Sequence, residues 1–248
     1  MSTKAQTYPY SGYATWLEST THERVFIGAP ISFTDDFLGA GPGAGVPAAG
    51  SPVLGYPWVK KLQGTPTGVA IVANGLGGLM QCALAATSEK EEATLYQNDQ
   101  LTWDSTKTII YQSRVKLSVL PSATGVEAVW GLSSAWIDGP DNATYYIEFG
   151  ITGSGGGLNM RVQDGVSQRA VSTGYTVDTN FHLYRSEMDT SGDLHFYVDG
   201  TEYSTSTSPL TWGATSAPLQ LYHSVYKPSG TGVATMVTDS INAWSPRT

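Results

Sequence analysis

Between Phe181 and Gly200 the chain alternates apolar with polar residues: Leu194, Phe196 and Val198 interleave with His195, Tyr197 and Asp199, and Thr190-Ser191-Gly192 interrupts the run. A period of two sends successive side chains to opposite faces of a strand, and a Gly-bearing break between two such runs is a hairpin turn. A second break at Asp199-Gly200 leads into residues 201–207, so the segment predicts a three-strand antiparallel meander. The same period recurs at 107–119, where Ile109, Tyr111, Val115 and Leu117 oppose Gln112, Arg114 and Lys116. It recurs again at 143–151, where Tyr145, Ile147, Phe149 and Ile151 oppose Thr144, Tyr146 and Glu148. Strands of this kind are expected to bury one face only, as in antiparallel sheets packed face to face. The predicted fold class is therefore all-β, a two-sheet antiparallel β-sandwich.

A length of 248 residues suits one such sandwich. Only 14% of the residues are charged, whereas Gly (28), Tyr (14) and Trp (7) are plentiful, which favours short strands and tight turns over solvated helices. The acidic stretch from Ser88 to Glu92 is expected to solvate a loop, and the Gly- and Pro-rich residues 39–52 to be irregular. Residues 1–30 carry Tyr8, Tyr10, Tyr13 and Trp16 without clean periodicity and read as an N-terminal extended arm, packed on its own domain or on a neighbouring subunit; residues 31–248 form the sandwich domain. A net charge of -8, with 13 basic residues spread along the chain, argues against a nucleic-acid partner. No apolar run is long enough to span a membrane, and the first residues do not read as a secretory signal. The single cysteine, Cys82, lies in an apolar strand and is expected to be a buried thiol.

Four segments, in this order, carry a resemblance: Phe33-Thr-Asp-Asp-Phe37, Asn74-Gly-Leu-Gly-Gly78, the hairpin ending Phe196-Tyr-Val-Asp-Gly200, and Thr238-Asp-Ser-Ile-Asn-Ala-Trp244. Together they resemble the concanavalin A-like lectin/glucanase superfamily, and within it the laminin-G-like jelly rolls that bacteriophages encode. The resemblance implies a jelly roll of two curved sheets whose concave face, in relatives, holds a carbohydrate or a catalytic pair. It also implies a structural calcium where the first and last strands meet, for which Asp36 and Asp239 are the matching residues; no other cofactor is expected.

Retaining glycosidases need two carboxyl groups about 5–5.5 Å apart. Relatives of the glycoside hydrolase type carry them as Glu-x-Asp-x-Glu, or with one further residue before the second Glu. The nearest match, Glu187-Met-Asp-Thr-Ser-Gly-Asp193, places Ser191 or Gly192 where the second glutamate should stand. Glu187 and Asp189 read as solvent-facing positions of a strand whose Tyr184, Ser186 and Met188 point inward. The Tyr226-Lys227 pair is similar to one strand of jelly-roll lyases, but the other lyase strands are absent, and Lys227 to Gly230 reads as a turn. The histidines, His22, His182, His195 and His223, are too scattered for a zinc pattern, although His182 and His195 could approach across the hairpin. The expectation is a chain that is not an enzyme.

Three functions follow, in order of preference. The first is a non-enzymatic virion structural protein, a capsid decoration or tail-associated module made in a host cytoplasm, with major capsid or tail proteins as partners and a homo-oligomer such as a trimer as its state. The second is a carbohydrate-binding module for cell-surface glycans. Trp130, Trp136, Tyr146 and Tyr197 are its candidate stacking platforms, with core packing the competing role for Trp130 and Trp244. Its candidate site is Tyr146, Glu148, Arg185, Glu187, His195 and Tyr197. The third is a hydrolase in which Glu127, Glu148 and Glu187 share one face.

Overall fold

The computed structural model describes residues 31–37, 57–73, 75–100, 103–203, 210–213 and 216–246, and the backbone of 5–10, 13–18 and 24–26. The last three segments are strands β1 (Ala5–Tyr10), β2 (Tyr13–Glu18) and β3 (Arg24–Phe26), which pair as an antiparallel three-stranded meander. Where the sequence shows no period, the register is regular: Tyr8 faces Thr15 and Thr7 faces Trp16. Side chains of the arm, and hence what Tyr8, Tyr10, Tyr13 and Trp16 pack on, lie outside the described residues, as do residues 39–52 and Asn74.

The sandwich begins with β4 (Ile31–Asp35), β5 (Val59–Gln63), β6 (Gly68–Ile71), β7 (Met80–Ala83), β8 (Glu91–Tyr96) and β9 (Trp103–Asp104). Then come β10 (Ile109–Val119), β11 (Glu127–Ser133), β12 (Tyr145–Thr152), β13 (Gly157–Asp164) and β14 (Gln168–Thr176). The hairpin β15 (His182–Met188) and β16 (Asp193–Val198) is followed by β17 (Thr201–Glu202), β18 (Leu210–Thr211), β19 (Pro218–Lys227) and β20 (Thr235–Ser245). Among the described residues the only helical piece is a 3-10 turn, Pro140–Asn142, and no helix is long and apolar enough to cross a membrane.

Two antiparallel sheets result. Sheet I runs β17-β16-β15-β10-β20-β7-β6, with β18 on β16 and β4 on β20; sheet II runs β14-β13-β12-β11-β19-β8-β5, with β9 on β19. The expected meander is present, closed by a turn in which Asp199 (φ 48°) and Gly200 (φ 80°) take the left-handed conformation that two-residue hairpins require. Its third strand stops at Glu202, and residues 204–209 lie outside the described set.

The core forms where the inward faces meet. Ile109, Tyr111, Val115 and Leu117 of β10, and Ile147, Phe149 and Ile151 of β12, enter it as the alternation predicts. Aromatic rings join the sheets: Tyr184 of sheet I sits edge-on to Trp130 and Phe149 of sheet II at 4.8 and 5.3 Å, and Phe196 meets Phe149 at 5.2 Å. Such contacts are each worth roughly 0.5–1.5 kcal/mol beyond the area they bury. Trp130 is thus a core residue, and Trp244 is buried as well. Cys82 is buried, and burial pushes its thiol up to about 12, so it stays protonated.

One polar group crosses the core. His223 of β19 hydrogen-bonds through Nε2 to the Tyr111 hydroxyl at 2.8 Å and through Nδ1 to Thr238 Oγ1 at 3.0 Å. Complete burial pulls the imidazole down to about 3, so it is neutral.

Three local expectations are corrected. Glu91 and Glu92 do not solvate a loop; they open β8, point to opposite sides of sheet II, and are both fully buried. Lys227 is not a turn residue: it ends β19 buried, its Nζ donating to the carbonyls of Ala85 and Thr87 at 2.6 Å each, with Glu91 at 3.4 Å. The central strands of sheet II, finally, do not bury one face only, because Tyr146 and Glu148 on the outward side of β12 are buried too. What covers them defines the site.

Candidate functional site

Strand register lays the outward side chains of sheet II in rows. One row runs Arg161, Glu148, Gly131, Tyr222, Tyr96, Val59 across β13, β12, β11, β19, β8 and β5. The next row on one side holds Gly150, Val129, Ser224 and Thr94, with Glu127, Tyr226 and Glu92 in the row beyond it, and the row on the other side holds Gln163, Tyr146 and Ser133. Glycines open the middle of the sheet. A Cβ on Gly131 would lie 2.4 Å from the Ile147 carbonyl oxygen and 2.9 Å from Glu148 Cβ, and one on Gly150 would lie 2.6 Å from Arg161 Cδ. Arg161 can therefore lean across Gly150 toward β11.

There it meets several carboxylates. Arg161 Nη1 lies 3.7 Å from Glu127, its Nη2 lies 3.2 Å from Glu148 Oε1, and the same Nη2 pairs with Asp141, while its guanidinium sits 5.5 Å from the Tyr146 ring. Glu148 makes no hydrogen bond through Oε1 among the described residues. Its contact with Arg161 is a proximity without the alignment that would hold it ionised. Burial first, and then the charge of Glu127, raise Glu148 well above the usual carboxylate range. Burial also raises Glu127, against the pull of Arg161. Arg161 itself is lowered by burial, against the pull of Glu127, which favours its charged form.

Glu92, two strands from β11, is raised by burial despite hydrogen bonds from Thr94, Tyr222 and Ser224. It also accepts from two groups of the β11–β12 connection, Trp136 Nε1 at 3.0 Å and the Gly139 amide at 3.3 Å. Trp136 packs on Val59, Tyr96, Val129 and Tyr222, under the Lys61 ammonium at 4.6 Å. The connection thus lies along the outward face, over an apolar and aromatic floor.

The sequence-predicted residues divide between the two sheets. Tyr146, Glu148 and Glu127 share the outward face of sheet II. Arg185, Glu187, His195 and Tyr197 lie on the outward face of sheet I, opposite the core residues Tyr184, Met188, Phe196 and Val198, so the six expected glycan residues do not form one site. On sheet I, Arg185 Nε meets Glu187 at 2.9 Å and stacks 4.2 Å over Tyr197, and His195 pairs with Glu202. Glu187 is buried rather than solvent-facing, whereas Asp189 does begin the turn, accepting from the Ser191 and Asp193 amides. His182 and His195 do not meet. His182 points to the core side, between Asp178 and Asp199. Burial lowers its proton affinity, but those two hydrogen bonds outweigh it and hold the ring above 6.5.

The two residues matched to a calcium, Asp36 and Asp239, lie where β4 meets β20. Asp36 is exposed beyond β4, and Asp239, the extra residue of a bulge in β20, pairs with Arg114. Among the described residues no three His, Cys, Asp or Glu side chains are grouped to hold a metal ion.

Arg161 and Glu92 were missed as site residues because they sit on separate strands. The legible signal was outward-facing glycines at 131 and 150 beside outward-facing acids at 127 and 148.

No family model matches the chain, and no curated protein matches it significantly. Solved structures do. An endo-1,3-beta-glucanase (laminarinase) catalytic domain from Thermotoga petrophila superposes with a TM-score of 0.53 at 16% identity, covering 87% of this chain and 97% of that one. The carbohydrate recognition domain of Emp47p gives 0.53 at 10% identity, covering 82% and 94%. A family 7 alginate lyase, A1-II', gives 0.52 at 15% identity, covering 81% and 93%. At these identities the likeness establishes the fold, a concanavalin A-like jelly-roll sandwich, and nothing in it indicates a bacteriophage origin or supports a virion role. It does overturn the expectation of a chain that is not an enzyme. That expectation rested on the missing Glu-x-Asp-x-Glu strand, and the fold is shared with a glucanase and a lyase, while the acids here are spread over neighbouring strands.

Proposed function

We propose that this chain binds a glycan along the outward face of sheet II and cleaves it with Glu148 and Glu127. The observation that carries the reading is a fully buried carboxyl, Glu148, beside a second carboxyl and one arginine, in surroundings that raise its proton affinity well above the usual carboxylate range. A group that must donate a proton near neutral pH needs this kind of environment. In this reading Glu148 protonates the glycosidic oxygen as its bond to the anomeric carbon breaks. Glu127, partly open and 3.7 Å from Arg161 Nη1, takes a proton from the water whose oxygen bonds to the anomeric carbon, so that water replaces the leaving sugar. Tyr96 and Tyr222 supply the aromatic surface on which sugar rings stack. Support also comes from the fold shared with a glucanase, a carbohydrate recognition domain and an alginate lyase.

The test offers the purified protein β-1,3-glucan, mixed-linkage glucan and alginate, reading new reducing ends and mobility in glycan-loaded gels. The expected result is cleavage of one of them, slowed by about 10²–10⁴-fold in Glu148→Gln with gel retardation kept. Retardation without cleavage would leave binding alone. No retardation and no cleavage with a wide glycan panel would end the reading.

A further inference from the structure

The connection between β11 and β12 closes over the face just described. Its neck is the hydrogen bond from the Ser134 amide to the Tyr145 carbonyl at 2.9 Å, continuing the ladder of the two strands. Beyond the neck it is braced internally. Asn142 Nδ2 donates to the Asp138 carbonyl at 2.6 Å, the Asn142 amide donates to the Gly139 carbonyl at 3.0 Å, and Pro140–Asn142 form the 3-10 turn. Gly139, at φ 79°, sets the bend. A segment tied to itself and joined to the sheet through a two-strand neck can swing as one body.

Its ties to the sheet are different in kind from its internal ones. Two are ion pairs near its surface: Asp138 to Lys90 at 2.5 Å, with both side chains more than a third exposed, and Asp141 to Arg161, with Asp141 45% exposed. The others are the Trp136 and Gly139 hydrogen bonds to Glu92, the Trp136 amide to Asp99 at 3.3 Å, and the packing of the Trp136 ring on Tyr96 and Tyr222. An indole lying on aromatic rings with its N–H on a carboxylate occupies the space and the polar partner that a sugar ring with its hydroxyls would take.

We infer that residues 134–143 are a lid which closes the carboxyl face in the absence of ligand and is displaced when a glycan binds. The site it regulates is the one proposed above, so the inference rests on that reading for what enters. The ion pairs of Asp138 and Asp141 latch it, and Arg161, released from Asp141, becomes available to the ligand and to Glu127.

The experiment is amide hydrogen exchange read by mass spectrometry on the intact chain, comparing wild type with the double variant Asp138→Asn, Asp141→Asn. A second measurement takes wild type from low salt to about 1 M, where exposed ion pairs are screened. The lid predicts exchange roughly three- to tenfold faster across 135–142 in both cases, with β11 and β12 unchanged. Unchanged exchange across 135–142, or a rise shared equally by β11 and β12, would overturn it. With a glycan that wild type retains, the double variant should retain it at least about threefold more tightly, because the lid's closing energy no longer competes. Equal retention would overturn the gating. Selective loop exchange without retention of any glycan by either protein would leave a movable lid and remove the glycan reading instead.

Discussion

Two of the buried polar clusters are built on opposite principles. Between the sheets, His223 uses both ring nitrogens, one on Tyr111 and one on Thr238, and carries no charge. Outside sheet II, one arginine faces Glu127, Glu148 and Asp141, and burial raises both glutamates. The first cluster leaves little unsatisfied. It fixes how the two sheets stack and offers a ligand nothing. The second holds more acid than one guanidinium can neutralise, a cost with no structural return that a binding and proton-transfer site would explain.

The largest expected effect breaks the second cluster. Arg161→Met removes the shared cation, and a loss of about 3–5 kcal/mol should appear in urea denaturation, partly recovered by adding Glu148→Gln, which deletes one of the stranded acids. If Arg161→Met were neutral, the acids would not be charge-coupled to it. Breaking the first cluster is milder. His223→Leu leaves the Thr238 hydroxyl without its His223 partner and the Tyr111 hydroxyl with Ser113 alone, and should cost roughly 1–3 kcal/mol in the same measurement.

The two clusters should also answer pH with opposite signs. His223 has a native proton affinity far below its unfolded value of 6.5, so the unfolded chain takes up the extra proton as pH falls. Wild type should then lose about 1.4 kcal/mol per pH unit relative to His223→Gln between pH 6.5 and 4, toward the native value. Glu148 is raised, so the native state holds the extra proton, and the stability it contributes is full below the unfolded value of 4.5 and is lost as pH rises. Glu148→Gln should therefore gain on wild type in going from pH 4 toward pH 8. Melting curves at stepped pH would read both, and parallel slopes for the two variants would contradict the contrast. The smallest effect belongs to Asp138→Asn alone, which should leave the melting temperature unchanged within error, because the pair it removes is exposed.

The contrast also explains which parts of the molecule were legible in sequence. The alternation in β10, β12 and the β15–β16 hairpin is local, so the faces of Tyr111, Phe149 and Phe196 could be assigned residue by residue. Burial of Glu92 and Glu148 is not local. It comes from residues 134–143 folding back over four strands, and no spacing along one strand records that. The Glu-x-Asp spacing that a single strand can show points instead to Glu187 and Asp189, on the other sheet. The acids that gather do so one per strand, at positions 92, 127 and 148, brought to one face of the sheet only by register.

Among the described residues, strand β14 is the outer edge of sheet II, and its burial alternates without a break from Gln168 to Thr176. The outer side of a half-exposed edge strand offers backbone amides and carbonyls to any passing chain, the usual starting point of sheet-to-sheet aggregation. Gly174, at φ 72°, breaks the regular strand conformation near its end, where the pairing with β13 also shifts register. That irregularity spoils the flat edge a second copy would need. Colloidal behaviour at high concentration is therefore entrusted to a single glycine, and straightening it would trade a twisted border for an adhesive one.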